Sequence, residues 1–290
     1  MTVSMEMIKQ LREETGAGIT ECKSALIESQ GDIEKAKKIL LAKGAAKAAK
    51  KLDRTTKEGV IFIKNDRSKA VMIELACETD FVARNQKFIE LAQNIADFLY
   101  KKDFSSLEEA LEMEYEPSKN LRTYLNENIS IFGENIRLSR VEKCQAGENE
   151  VIFDYLHFNY RVGVIVLIGF EKSINENAQI KEEFGTKTAF QIASMKPVYV
   201  DISSIPSNEI EESKKIAFEQ AKSEGKPEHV AQKIAEGKVL KMMEDNVLME
   251  QSFYDESLKL PKFKDYVKSV SSNLKENIVI KKFARFEIGR

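Results

Sequence analysis

Two nearly unbroken apolar stretches limit what this chain can fold into. Residues 70–77 read AVMIELAC and residues 162–170 read VGVIVLIGF. Neither shows the period of a half-exposed helix, and both are short, so each predicts a buried strand. A shorter apolar run precedes each one, at 60–63 and 151–157. Turn chemistry (Asn65, Asp66, Arg67, Ser68) separates the first pair, so each pair predicts a β-hairpin. An amphipathic helix pattern follows each hairpin. The first carries Phe88, Leu91, Ala92, Ile95, Phe98 and Leu99 and is expected to begin near Val82; the second carries Ala189, Ile192 and Ala193. The segment AFQIA at 189–193 echoes AQNIA at 92–96. A hairpin-then-helix unit thus appears twice, which predicts an α+β fold with two antiparallel sheet-plus-helix subdomains of common topology.

The flanking segments are helical. Ser4 is placed to cap a helix whose Met5, Ile8 and Leu11 share a face, with Gly16 and Gly18 ending it. Thr20 and Glu21 are expected to start a second helix that Gly31 closes. Asp32 caps a third with Ile33, Ala36, Ile39 and Leu40 inward and Gly44 as its stop. So small a core is marginal alone and serves best as a docking module. Residues 45–51, AAKAAKK, read as a solvated helical linker able to extend that third helix. Further on, 107–113 and 121–132 are helical patterns, and 136–141 alternates like a strand. Residues 209–245 form a polar helical hairpin broken at Glu224, Gly225, Lys226 and Pro227, too polar to be core. A helix pattern at 263–274 and a strand at 278–288 end the chain. The expected division is 1–54 (three helices and linker), 55–143 (first core subdomain), 144–208 (second, first part), 209–245 (helical hairpin) and 246–290 (end of the second subdomain and a short C-terminal module).

Composition narrows the function. Of the residues, 42% are apolar and 32% charged, and 45 Lys and Arg face 47 Asp and Glu for a net charge of −2. A general polyanion binder carries a basic excess, so no direct nucleic-acid partner is expected. No stretch reaches the roughly 20 apolar residues of a membrane helix, and the N-terminal residues resemble neither a signal nor a transit segment. A cytoplasmic protein with no membrane partner is expected. The three cysteines, Cys22, Cys77 and Cys144, show no metal or redox spacing and read as core thiols. There are two histidines, His157 and His229, no nucleotide-binding glycine motif and no acid/base constellation, so neither an enzyme nor a cofactor nor a bound metal is expected.

One corner stands out. After the strand at 70–77 comes Thr79-Asp80-Phe81, which places a carboxylate and a large aromatic ring at a turn. Local pattern alone favours folding Phe81 back under the hairpin as a core ring.

Five segments, "LREETGAGITECKSAL" at 11–26, "GDIEKAKKILLAKGAAKAAKK" at 31–51, "ETDFVARN" at 78–85, "RVGVIVLI" at 161–168 and "FARFEIG" at 283–289, occur in the order found in the elongation factor Ts family, which the chain resembles. The resemblance implies an N-terminal ubiquitin-associated-like domain, a two-subdomain core, an inserted coiled-coil hairpin and a short C-terminal module. It also implies a function: binding the GDP form of the GTPase elongation factor Tu, releasing GDP, and passing through the nucleotide-free complex. By this likeness Asp80 and Phe81, flanked by Thr79 and Val82, insert between two helices of the GTPase beside its Mg²⁺ site, so Phe81 points outward. Asp80 has two roles open to it, adding negative charge near the metal or capping the following helix. Arg84 and Asn85 are expected outward and supporting. Leu11, Arg12, Ile19 and Thr20 match the docking edge of the N-terminal domain, Thr20 standing where relatives carry a larger apolar residue. His157 matches a histidine that presses on the partner's phosphate-binding loop, although Phe158-Asn159-Tyr160 replaces a glycine-rich turn. Gln191 stands where a histidine is frequent and reads as a helix-surface change. The hairpin at 209–245 is an arm for self-association or for partner binding, leaving a homodimer or a two-to-two complex open. The competing reading is an RNA- or ribosome-binding accessory protein using the Ala/Lys linker.

Overall fold

The structure, a computed structural model, describes residues 3–289, and for residues 45–49 the backbone alone. The expected side-chain character of that part of the linker lies outside the described residues. The chain forms two compact units, one comprising Met1–Lys64, Val71–Glu142 and Glu287–Arg290, the other Asn65–Ala70 and Lys143–Phe286. The α+β class and the repeated sheet-plus-helix topology are as expected.

The first unit opens with α1 (Met5–Thr15), α2 (Ile19–Glu28) and α3 (Ile33–Ala49). The Ser4 side chain accepts from the Met7 amide, and Gly16 ends α1 in the left-handed region at φ 66°. Ile8, Leu11, Cys22, Ala25, Leu26 and Ala36 form the bundle core, whereas Met5 is exposed. Two expectations are corrected. Helix α2 starts at Ile19 behind Gly18 with no side-chain cap, so Thr20 lies inside the first turn. Gly44 does not stop α3, which runs on to Ala49. A Cβ at Gly44 would stand 3.0 Å from Ser130 Oγ, and that hydroxyl donates to the Gly44 carbonyl at 3.0 Å. The glycine is therefore a point of close helix contact rather than a terminator.

Next come β1 (Glu58–Asn65), β2 (Lys69–Cys77), α4 (Asp80–Ala83), α5 (Gln86–Tyr100), α6 (Leu107–Glu112), the short strands β3 (Glu114–Glu116) and β4 (Lys119–Asn120), α7 (Leu121–Phe132) and β5 (Arg137–Gln145). The sheet order is β1-β2-β5. Strand β2 is central and buried along almost its whole length, which explains why its sequence reads as a continuous apolar run. Helix α5 buries Phe88, Leu91, Ala92, Ile95, Ala96 and Leu99, with Phe88 edge-on to Phe132 of α7 at 5.6 Å.

The second unit contains β6 (Glu150–Leu156), β7 (Val162–Phe170), α8 (Ala178–Met195), α9 (Ser207–Ser223), α10 (Glu228–Asn246), α11 (Phe263–Leu274) and β8 (Ile278–Glu287). Its sheet order, β6-β7-β8, repeats the plan of a hairpin extended by a later strand on its second member. Strands β6 and β7 are antiparallel, from Glu150 opposite Gly169 to Leu156 opposite Gly163. Val151, Phe153, Val164, Val166 and Ile168 pack with Phe184, Ile192, Phe253, Phe263 and Tyr266 in one core. Lys181 and Glu276, both fully buried, pair at 2.7 Å. The ammonium also donates to the Lys172 and Ser173 carbonyls, and Glu276 accepts from the Lys172 amide, so each buried charge is matched by partners. Helices α9 and α10 meet along Ala217, Ala221, Ala231, Ala235 and Val239. Small side chains allow close approach, while the remaining faces are mostly polar, with Ile216 and Leu240 exposed among the charged residues. No described helix is long and apolar enough to cross a membrane.

Gln191 departs from expectation. It is fully buried, donates to the Ser252 carbonyl at 2.9 Å and accepts from the Tyr254 amide at 2.9 Å. Its amide is internal structure, because a buried side chain of this type needs both a donor and an acceptor matched.

Helix α8 lies so close to β6 that a Cβ at Gly185 would fall 2.2 Å from the Phe153 ring. Gly185→Ala is expected to lower stability by about 1–3 kcal/mol through overpacking, despite the higher helix propensity of alanine. Urea denaturation measures it, and an unchanged or raised midpoint would show that the ring has room to move.

Candidate functional site

The corner after β2 is built by a capping threonine and a carboxylate from elsewhere in the fold. Thr79 has extended backbone (φ −122°, ψ 156°) and its Oγ accepts from the Val82 amide. This makes Thr79, not Asp80, the N-cap of α4. The same hydroxyl donates to Glu134 Oε1 at 2.5 Å, while Glu134 Oε2 accepts from the amides of Glu78 and Thr79, each at 3.0 Å. Three donors converge on one ionised group, the strong kind of hydrogen bond. Glu78 in turn accepts from the Asn135 amide at 2.7 Å, and Asn135 Nδ2 donates to the Leu52 and Arg54 carbonyls.

Helix α4 lasts a single turn. The expected long helix from Val82 is split, because Asn85 takes extended backbone and its side chain accepts from the Lys87 amide, capping α5. An asparagine that bonds a nearby amide competes with helix continuation. The result is a rigid step. Ala83 is buried, Val82 half-buried, and Phe81 is 84% exposed. Asp80, relieved of capping, pairs with Arg84 at 3.1 Å on the surface.

Beneath the corner, the Cys77 thiol donates to the Thr79 carbonyl at 3.2 Å. Burial, helped by the negative charge of Glu134, pushes its pKa up to about 12.

The N-terminal residues divide. Leu11 is 0% exposed, in the bundle core, and cannot touch a partner unless the bundle opens; its apolar position on α1 is an interior one. Arg12 and Thr20 are exposed and Ile19 is half exposed. A Cβ at Gly16 would stand 3.5 Å from the Ile131 side chain of α7, and Lys51 Nζ donates to the Gly133 carbonyl at 2.5 Å. The bundle is therefore anchored on the end of α7, immediately before Glu134.

His157, in the second unit, directly follows β6. Its amide donates to the Val162 carbonyl at 2.9 Å and its carbonyl accepts from the Tyr160 amide at 2.8 Å, closing a tight loop with Tyr160 at φ 60°. The imidazole is half-buried, hydrogen-bonded through Nδ1 to Tyr155 Oη at 2.7 Å, with the 84% exposed Phe158 ring 4.5 Å away. The structure thus gathers Thr79, Asp80, Phe81, Val82, Arg84 and Asn85 at one corner and sets Arg12, Ile19 and Thr20 on the N-terminal bundle. Sequence reasoning missed Glu134; its only signal was a carboxylate just after Gly133, the left-handed cap of α7.

Two outcomes follow from this geometry. Glu134→Ala should cost about 1–3 kcal/mol and speed hydrogen exchange at the Glu78 and Thr79 amides by about ten- to a hundredfold; unaltered exchange there would show the corner is held by something else. The Cys77 thiolate becomes populated only as pH approaches its raised pKa, so a thiol reagent at pH 8 should leave Cys77 unmodified in native protein and label it after denaturation, as peptide mass mapping would show.

The family model described as "Elongation factor TS" matches residues 78–290. The protein named "Elongation factor Ts" of Aquifex aeolicus (strain VF5) is 44% identical over 298 aligned residues, covering 100% of this chain and 99% of the relative. That of Hydrogenobaculum sp. (strain Y04AAS1) is 43% identical over 293, covering 100% of both.

Proposed function

Because the chain belongs to the elongation factor Ts family of translation elongation factors, we propose that it binds elongation factor Tu carrying GDP and speeds the exchange of GDP for GTP. The observation that carries this reading is Phe81, held 84% exposed on a fixed corner. An exchange factor need not touch the nucleotide. If it binds the empty GTPase more tightly than the loaded one, nucleotide binding weakens by the same factor. Each tenfold of loosening takes about 1.4 kcal/mol of such preference. Phe81, lodged between two helices of the GTPase, buries a large apolar surface and holds the helices apart, displacing groups that bind Mg²⁺. No bond is made or broken by this chain.

Asp80 adds negative charge next to the metal's ligands. Its exposed pair with Arg84 (side-chain exposures 44% and 82%) is worth roughly 0–1 kcal/mol, so leaving it for the partner costs little. Thr79 and Val82 hold the wedge, Asn85 fixes the step into α5, and Arg84 lies beside the wedge. Residues 1–54 serve as a docking module through Arg12, Ile19 and Thr20, and His157 makes a separate contact. We further propose the division into 1–54, 55–143, 144–208 with 246–290, and the hairpin 209–245 as functional modules.

Release of a fluorescent GDP analogue from purified elongation factor Tu tests the reading. Micromolar amounts of this chain should accelerate release by orders of magnitude, and no acceleration would sink it. Phe81→Ala should remove most of the acceleration while changing stability by no more than about 0.5 kcal/mol, since the ring is solvent-exposed in the free protein. An unchanged rate would take Phe81 out of the mechanism.

A further inference from the structure

Tyr155 lies in β6 and His157 follows the strand's last residue, and their side chains meet. Tyr155 Oη and His157 Nδ1 are 2.7 Å apart, and among the described residues neither side chain has another hydrogen-bond partner. The tyrosine is itself braced. Its ring meets Phe190 edge-on at 5.3 Å and 87°, and Phe190 lies 4.7 Å from Tyr254. Tyr254 is fixed in turn, because its amide donates to the buried Gln191 side chain. On the other side, the Phe158 ring lies 4.5 Å from the imidazole. A hydroxyl anchored in a packed aromatic row thus holds one edge of a histidine ring whose loop faces solvent.

The bond selects a protonation form. A phenol oxygen delocalises its lone pair into the ring, so its hydroxyl is a better donor than acceptor. When it donates to Nδ1, a neutral imidazole must carry its own proton on Nε2, because the hydrogen bond at one ring nitrogen sets the state of the other.

We propose that Tyr155 is a positioning residue for nucleotide exchange: its hydroxyl holds His157 in the Nε2–H form, so that the 157–161 loop presents the partner with a hydrogen-bond donor matched to a carbonyl or carboxylate oxygen. This rests on the reading of the chain as an exchange factor. Without the hydroxyl, the imidazole is free to rotate and to populate both neutral forms, and only a fraction of molecules dock with the donor in place.

Tyr155→Phe removes the oxygen and keeps the ring on Phe190. Two measurements decide the matter on the full-length protein. In two-bond ¹H–¹⁵N spectra of the histidine side chains, recorded at alkaline pH, wild type should show His157 with its proton on Nε2. Tyr155→Phe should move both ring nitrogens towards averaged positions, with His229 as an internal control. In the GDP-release assay, Tyr155→Phe should be slower by about three- to tenfold, the range of one lost hydrogen bond. It should add nothing further in a His157→Ala background, as residues acting through one contact behave in a double-mutant cycle.

The inference is overturned if wild-type His157 carries its proton on Nδ1, if Tyr155→Phe leaves the nitrogen shifts unchanged, or if the variant slows exchange equally with and without His157. These failures are distinct from failure of the exchange-factor reading, in which the wild-type chain itself would not accelerate GDP release.

Discussion

The carboxylate of Glu134 is the constraint on which the exposed corner depends. It takes the amides of Glu78 and Thr79 and the hydroxyl of Thr79, which end β2 and begin α4. Without it, two backbone donors and a hydroxyl at a half-buried turn would need other partners. Holding Phe81 in water forgoes the roughly 1.5–3 kcal/mol that burying a phenylalanine yields. A loose loop would recover that energy by folding the ring inward. A corner pinned at three points cannot, so the ring stays out.

The same stretch of chain organises the N-terminal bundle. Within five residues, the end of α7 supplies Ser130 to the Gly44 carbonyl, Ile131 beside Gly16, the Gly133 carbonyl to Lys51, and Glu134 to the corner. Bundle and wedge are thus referred to one helix end. A bundle with so small a core gains from such an anchor, and the surface formed by Arg12, Ile19 and Thr20 is held relative to α7 instead of swinging on a linker.

Much of this architecture was legible because burial leaves a pattern. The apolar run of β2 follows from its central place in the sheet, and β7 shows the same run for the same reason. The Ser4 cap and the break at Gly225 are local chemistry and read correctly. Errors arose where a residue's meaning is set by a distant partner. Gly44 read as a helix stop, yet its role is contact with Ser130, 86 positions away. Gln191 read as surface, although both ends of its amide are satisfied by backbone groups more than 60 positions on. Family likeness places Leu11 at a docking edge, whereas its periodic spacing with Ile8 marks it as core, where it is found. Glu134 was invisible, since a lone glutamate after a helix ordinarily faces solvent. Phe81 was legible as an outward ring only through family resemblance, because local pattern favours burial.

Thr79 and Asp80 divide the labour at the corner. A hydroxyl offers one donor and two acceptor positions, and Thr79 uses the donor on Glu134 and an acceptor position on the Val82 amide. An aspartate in that place could cap α4 but could not donate to Glu134, and it would set two carboxylates against each other. A cap at position 80 would tie up the charge the reading assigns to the partner's metal site. With threonine as the cap, Asp80 keeps its carboxylate on the surface, held only by Arg84. The neighbouring ring and charge are therefore both outward for one reason: a single hydroxyl meets the local demand for a donor and an acceptor, leaving Asp80 and Phe81 free of structural duty.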